Sequence, residues 1–251
     1  MGPGDPAAGA KPQTGERMRP IWKGRLAWLL LLAVLPQEAA SSDLMSSTQG
    51  TTIGLHVERF QPGIDTEFGG PGPYQRIFGS GVGFVYQVNA AWTVLDAAGP
   101  LSLGIGAGYF GASGHGLMEG ADGTWVQSKD QTNLKVIPLT LFLDYRWDRF
   151  GAWTGQLVVP FLRVGLERWN WWTTNGNGST VGRGATNGLS VSSGLAISLD
   201  AVDQARDGPL PFRTWLLLDV TRSRINDFGS RSSWDLSSRG WAFGAGLALG
   251  F

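Results

Sequence analysis

From residue 51 to the last residue, one pattern recurs eight times: a block of ten residues or so with an apolar side chain at every second position. A period of two belongs to a strand with one face in an apolar environment. Thr51–Phe60 sets Ile53, Leu55 and Val57 against Thr52, Gly54, His56 and Glu58. Residues 82–92 set Val82, Phe84, Tyr86, Val88 and Trp92 against Gly83, Gln87 and Asn89. The pattern returns at residues 101–110, 132–147, 159–169, 188–199, 212–223 and 241–251. Each block reaches the ~9–11 residues that a tilted transmembrane strand needs. No segment of the mature chain reads as a transmembrane helix.

A soluble sandwich would alternate in the same way. Three features favour a barrel in a membrane. The connections after the first, third, fifth and seventh blocks run about 13–21 residues, and the others nearer 8–12. That is the long-outside, short-inside asymmetry of outer-membrane barrels. Aromatic residues collect near the block ends: Trp92, Tyr145, Trp147, Phe212 and Phe251 at one end, Tyr109, Trp172 and Trp241 at the other. Such rings suit a membrane–water boundary. Finally, Phe243, Leu247, Leu249 and Phe251 alternate up to the last residue. They form the expected C-terminal insertion signal, read by the barrel-assembly machinery. The expected fold is therefore all-β, an up-and-down antiparallel transmembrane barrel of eight strands.

The start of the chain agrees with export. Arg19, Lys23 and Arg25 flank the apolar run 26–35, and small residues follow at Ala39, Ala40, Ser41 and Ser42. This is the layout of a secretory signal peptide. Its apolar core falls short of the ~20 residues of a spanning helix. Translation from Met18 would leave a signal peptide of ordinary length. The expected organisation is a signal peptide over residues 1–42, a linker over 43–50 and a barrel over 51–251. The absence of cysteine excludes disulfides, a lipoprotein anchor and thiolate metal sites. A formal net charge of zero gives no argument for nucleic acid.

The wording IGLHVERFQPGID, PYQRIFGSG, GIGAGYFGASG, TNLKVIPLTLFLDYRWD, VPFLRVGLERWNWWTTN and FGSRSSWDLSSRGWAFGAGLALGF covers nearly the whole mature chain. It resembles an uncharacterised family of small outer-membrane β-barrel proteins of the myxobacterial type. The resemblance implies fold and location and brings no catalytic residues.

No enzyme is expected, and no catalytic, cofactor or metal residues. The chain has two histidines. His56 should face the lumen near Glu58, where a structural role outweighs half of a catalytic pair. His115 falls in a Gly/Ser-rich outer loop. The third outer loop, residues 169–187, is rich in Trp, Asn, Gly and Thr and would be flexible, with girdle aromatics at its base. Strand parity points Phe142, Phe161, Arg163, Glu167 and Trp215 inward. Asp144 and Arg163 lie equally far from the hairpin between them and should pair in the lumen, with Asp219 as a further partner. Parity also sends Arg59, Lys135, Arg168, Arg222 and Arg239 to the lipid side at one common end. Such a belt would suit the phosphates of lipopolysaccharide, or else snorkel into water. The expected function is a monomeric outer-membrane protein with a structural or surface-interaction role. The alternatives are a narrow channel for small solutes and a barrel hydrolase acting on outer-membrane lipid.

Overall fold

A computed structural model describes residues 50–66, 72–79, 82–96, 99–119, 124–155, 157–200, 213–230 and 233–251. All of them belong to a compact unit spanning residues 47–251. The expected signal peptide, nearly all of the linker, Phe212 and the helical turn that residues 200–207 suggest after the sixth strand lie outside the described residues, save Asp200 at the edge of that turn.

Eight strands follow one another in chain order: β1 (Thr51–Phe60), β2 (Gly83–Asp96), β3 (Pro100–Glu119), β4 (Trp125–Arg146), β5 (Val158–Thr174), β6 (Thr180–Ser198), β7 (Arg213–Arg224) and β8 (Ala242–Gly250). Each pairs antiparallel with its sequence neighbours, and β1 pairs with β8 from Thr52↔Gly250 to Glu58↔Gly244, closing the ring. Closure matters in hydrocarbon, where unpaired backbone groups at a sheet edge each cost several kcal/mol.

The alternation of the sequence becomes an alternation of burial. Along β1, Gly54, His56, Glu58 and Phe60 are buried, and Ile53, Leu55 and Val57 are exposed. Leu55 on β1, Phe84 and Val88 on β2, Ile105 on β3, Leu166 on β5 and Phe243 on β8 are each more than half exposed. Apolar side chains displayed around a closed ring, over an interior that buries Glu58, Asp144, Glu167 and Asp219, invert the soluble arrangement. A bilayer is the solvent that makes this stable. The chain is a transmembrane β-barrel.

The connections depart from expectation. β3, β4, β5 and β6 run 20, 22, 17 and 19 residues, against 10 for β1 and 9 for β8. The second and third outer loops are therefore mostly hairpin. Pairing continues to Glu119↔Trp125 and to Thr174↔Thr180. The turn after β5 is set by Asn175, whose Oδ1 accepts from Ser179 N at 2.9 Å. Beyond the bilayer neither face is pressed against lipid, so segments such as GASGHG and WNWWTT lose their one-sided alternation while still pairing. At β3–β4 and β5–β6 the length asymmetry thus takes the form of tall hairpins, each with a tip shorter than the β6–β7 connection, while β1–β2 and β7–β8 keep long connections. His115 sits in β3, paired with Gln131, and not in a loop.

The interior is filled. Toward the far end, away from Thr51 and Phe251, Phe60, Val85, Phe110, Leu134, Val136 and Trp169 meet Ile225, Leu236 and Tyr74 in one buried cluster. Ile225 and Leu236 come from the β7–β8 connection. Tyr74 comes from the short helix α1 (Pro73–Phe78), whose first N–H groups are capped by Asp65: Tyr74 N and Gln75 N donate to its two oxygens at 2.8 and 2.7 Å. The first and last connections are joined by a bridge between Pro62 and Ser238. Toward the other end, Val159, Phe161, Ala196, Trp215, Leu217 and Ala248 form a second cluster. Outside that end, helix α2 (Asp148–Trp153) follows Trp147 and carries exposed Phe150 and Trp153, so three aromatics continue the girdle.

Candidate functional site

Between the two apolar clusters lies a layer of buried polar groups. β4 and β5 are in register at Asp144↔Arg163. Both side chains point inward, and Arg163 Nε donates to Asp144 Oδ1 at 3.2 Å. The guanidinium also lies 4.3 Å from the centre of the Phe142 ring. Arg146 approaches the other carboxylate oxygen at 3.6 Å. The side chains of Phe142, Phe161, Glu167 and Trp215 are buried, as their parity requires.

Asp219 goes elsewhere. Its Oδ1 lies 2.8 Å from His56 Nε2, and its Oδ2 accepts from the Thr221 hydroxyl at 3.1 Å. Ser192 Oγ lies 2.8 Å from the same Thr221 hydroxyl oxygen, which is left to accept from it. His56 and Asp219 stand on β1 and β7, with β8 between them. Gly244 pairs with both Glu58 and Asp219, and a Cβ on it would collide with His56 Nε2. Glycine here is what lets two side chains meet across an intervening strand. Glu167 is held separately: its carboxylate accepts from Thr140, Ser190 and the Trp169 indole at 2.8, 2.6 and 3.2 Å. Glu58 is buried two residues along from His56. An imidazole against a carboxylate is half of a hydrolytic apparatus. Among the described residues, no hydroxyl stands on His56 Nδ1 to be activated. The arrangement as it stands ties three strands together.

The belt residues Arg59, Lys135, Arg168, Arg222 and Arg239 all have exposed side chains. They are spread around the ring and form no single cluster. Arg59 and Arg239 flank one shallow cleft with Trp241. Arg168 donates Nη1 to Asn187 Oδ1 at 3.2 Å. Asn187 donates Nδ2 to Asp227 at 2.9 Å, and the hydroxyl of Ser233 donates to the same carboxylate. These hydrogen bonds, the one from Asn187 foremost, hold the Asp227 carboxyl below its ordinary range. Phe243, Leu247 and Phe251 are exposed on the outer face of β8 and its end, with Leu249 half-buried.

Two features escaped the sequence. One is the His56–Asp219 contact, which needs ring closure. The other is the stacked pair Trp171–Trp234, with centroids 3.9 Å apart and planes within 3°. Richness in Trp was the available signal.

Taken together, a filled lumen with a central polar layer and an apolar outer wall define a small closed transmembrane β-barrel. Solved barrel structures resemble it only in that respect. Neisserial surface protein A matches at 14% identity over 80% of this chain and 96% of that one, with a TM-score of 0.47. OprG from Pseudomonas aeruginosa matches at 12%, over 80% and 96%, with 0.46. Ail, the attachment invasion locus protein of Yersinia pestis, matches at 11%, over 80% and 95%, with 0.35. At such values the likenesses carry no argument about activity. No family model and no curated protein matches the chain, so the resemblance to a myxobacterial-type family gains no support there.

Proposed function

We propose that the protein is an outer-membrane barrel that works through its exterior, in a structural or surface-interaction role, and not as a conduit. The single observation behind this is the filled lumen. Apolar clusters lie on both sides of the polar layer. A cavity in that layer, lined by His56, Asn89, Asp144 and Arg163 among others, has a volume of about 20 Å³. That is room for about one water molecule. Eight strands leave an interior just wide enough for side chains, and here side chains fill it.

On this reading the termini lie in the periplasm, and the tall hairpins β3–β4 and β5–β6 stand on the cell surface. The exposed basic residues Arg59, Lys135, Arg168, Arg222 and Arg239 then lie near the outer leaflet, where lipopolysaccharide is the partner. Basic side chains on a lipid-facing wall cost ~2–4 kcal/mol at the midplane and little near the interface. Conductance of the purified full-length protein in planar bilayers is the test. The expected trace is flat across the working voltage range. Stable, protein-dependent unitary steps would overturn the closed-barrel reading in favour of a narrow channel.

A further inference from the structure

One part of the outer wall is more than a basic rim. On β4 and β5, Leu139, Leu141 and Leu166 are exposed and adjacent: Leu141 is in register with Leu166, and Leu139 with Arg168. Arg168 is in register with Asn187 of β6. Above them the β7–β8 connection leans outward. Asp227 and Phe228 have φ of 50° and 56°, consecutive left-handed residues that are not glycine. Such conformations persist only where surrounding contacts impose them. Here the contacts are explicit. Asn226 accepts from Gly229 N, and Asp227 accepts from Asn187 and Ser233. The connection also passes so close over Gly188 that a Cβ there would lie 2.6 Å from Ile225 Cα and collide with Arg224 O.

The result is a groove of about 430 Å³, walled by Leu139, Leu141, Leu166, Arg168 and Asn187, with Phe228 at its edge. Phe228 is 67% exposed, so the strained turn holds a large apolar ring outward instead of burying it. Arg168 makes one hydrogen bond among the described residues, to Asn187, and a guanidinium has five N–H donors. Asp227 accepts from Asn187 and Ser233 and also feels the Arg168 charge, and Glu167, which also lines the groove, turns its carboxylate inward to Thr140, Ser190 and Trp169.

We infer that this groove is a lipid site for lipopolysaccharide: one acyl chain lies along Leu139, Leu141 and Leu166 against Phe228, and a phosphate of the same molecule binds Arg168. The inference rests on the outer-membrane reading above, and it replaces a diffuse belt with one built position. Charge complementarity chooses a phosphorylated lipid, and the groove's place at the outer end of the strands chooses the outer leaflet.

The test is native mass spectrometry of the full-length barrel in mild detergent with added lipid A, and separately with phosphatidylglycerol. One lipid A per barrel should survive activation. Arg168→Ala and Phe228→Ala should each lower its retention about tenfold, the loss of one charge-assisted contact or its apolar equivalent. Phe228→Leu should keep most of it. Arg183→Ala, an equal change of charge on exposed β6, should leave it unaltered. Heat-modifiable gel mobility of each variant confirms that the barrel is folded. Equal retention in all variants, equal loss in Arg183→Ala, or phosphatidylglycerol held as firmly as lipid A would each overturn the site. Fractionation of cells by density reports the outer-membrane reading independently, so failure of location and failure of the groove are separable.

Discussion

His56 and Asp219 are separated by a whole strand, yet His56 Nε2 lies 2.8 Å from Asp219 Oδ1, with both side chains buried. The gap is supplied by β8, whose Gly244 and Gly246 pair with Asp219 and His56 and carry no side chain. The contact ties β1 to β7 and supports the ladder between β1 and β8 that closes the ring.

Replacing Gly244 with Ala should therefore push His56 off Asp219. Overpacking of this kind costs ~1–3 kcal/mol. Asp219→Ala, which leaves His56 Nε2 unsatisfied, should cost ~1–3 kcal/mol by a different route. The two changes should be less than additive, because each removes the same contact. Urea unfolding in detergent measures this, and full additivity would show that Gly244 matters for some other reason.

Arg163→Ala leaves buried Asp144 without its direct partner. Loss of one partner from a fully buried pair costs ~3–5 kcal/mol. The effect here should be smaller, because Arg146 stays 3.6 Å from the same carboxylate and Arg163 is itself partly exposed. A lowered thermal transition is expected, and Arg146→Ala, Arg163→Ala together should exceed the sum of the singles. An unchanged transition in Arg163→Ala would mean that the pair contributes nothing to folding.

Tyr74 seals the far-end cluster, and burial, with a smaller contribution from the Asp65 charge, pushes its phenol up from 10.0 to about 12. The fold favours the neutral phenol. Its stabilisation is complete below the ordinary value and is lost as pH rises through about 12. Tyrosinate absorbance of the wild type should show a late step that is missing from Tyr74→Phe. Identical curves would place Tyr74 in water.

The natural chain contains no cysteine, so single cysteines report topology cleanly. Asn177→Cys, in the turn between β5 and β6, should react with a membrane-impermeant maleimide on intact cells. Trp153→Cys, at the end of α2, should react only after the outer membrane is permeabilised. The opposite pattern would invert the barrel.

Much of this barrel is legible in single strands. The range Thr51–Phe60 is the same in pattern and in structure. Inward and outward faces follow from parity, because a strand with lipid on one side must place its apolar residues at every second position. The Asp144–Arg163 pairing is equally local, since β4 and β5 are consecutive strands and their register is counted from the one connection between them. The tall hairpins were hidden for the converse reason. Above the bilayer no one-sided burial writes a period into the residues, although pairing continues to Glu119↔Trp125.

What the sequence by itself determined is therefore the number of strands, their facing and the charge pair between neighbours, all of which depend on residues close along the chain. The tertiary structure alone decided which groups meet across the ring. Asp219 pairs with His56 and not with Arg163, and Phe228 is carried out over β6 to the wall of β4 and β5. Both depend on how β1 closes on β8, and so on a register between residues nearly the whole barrel apart in sequence. No local period encodes that stagger; it is set when the strands tilt and close around a lumen only wide enough for their own side chains.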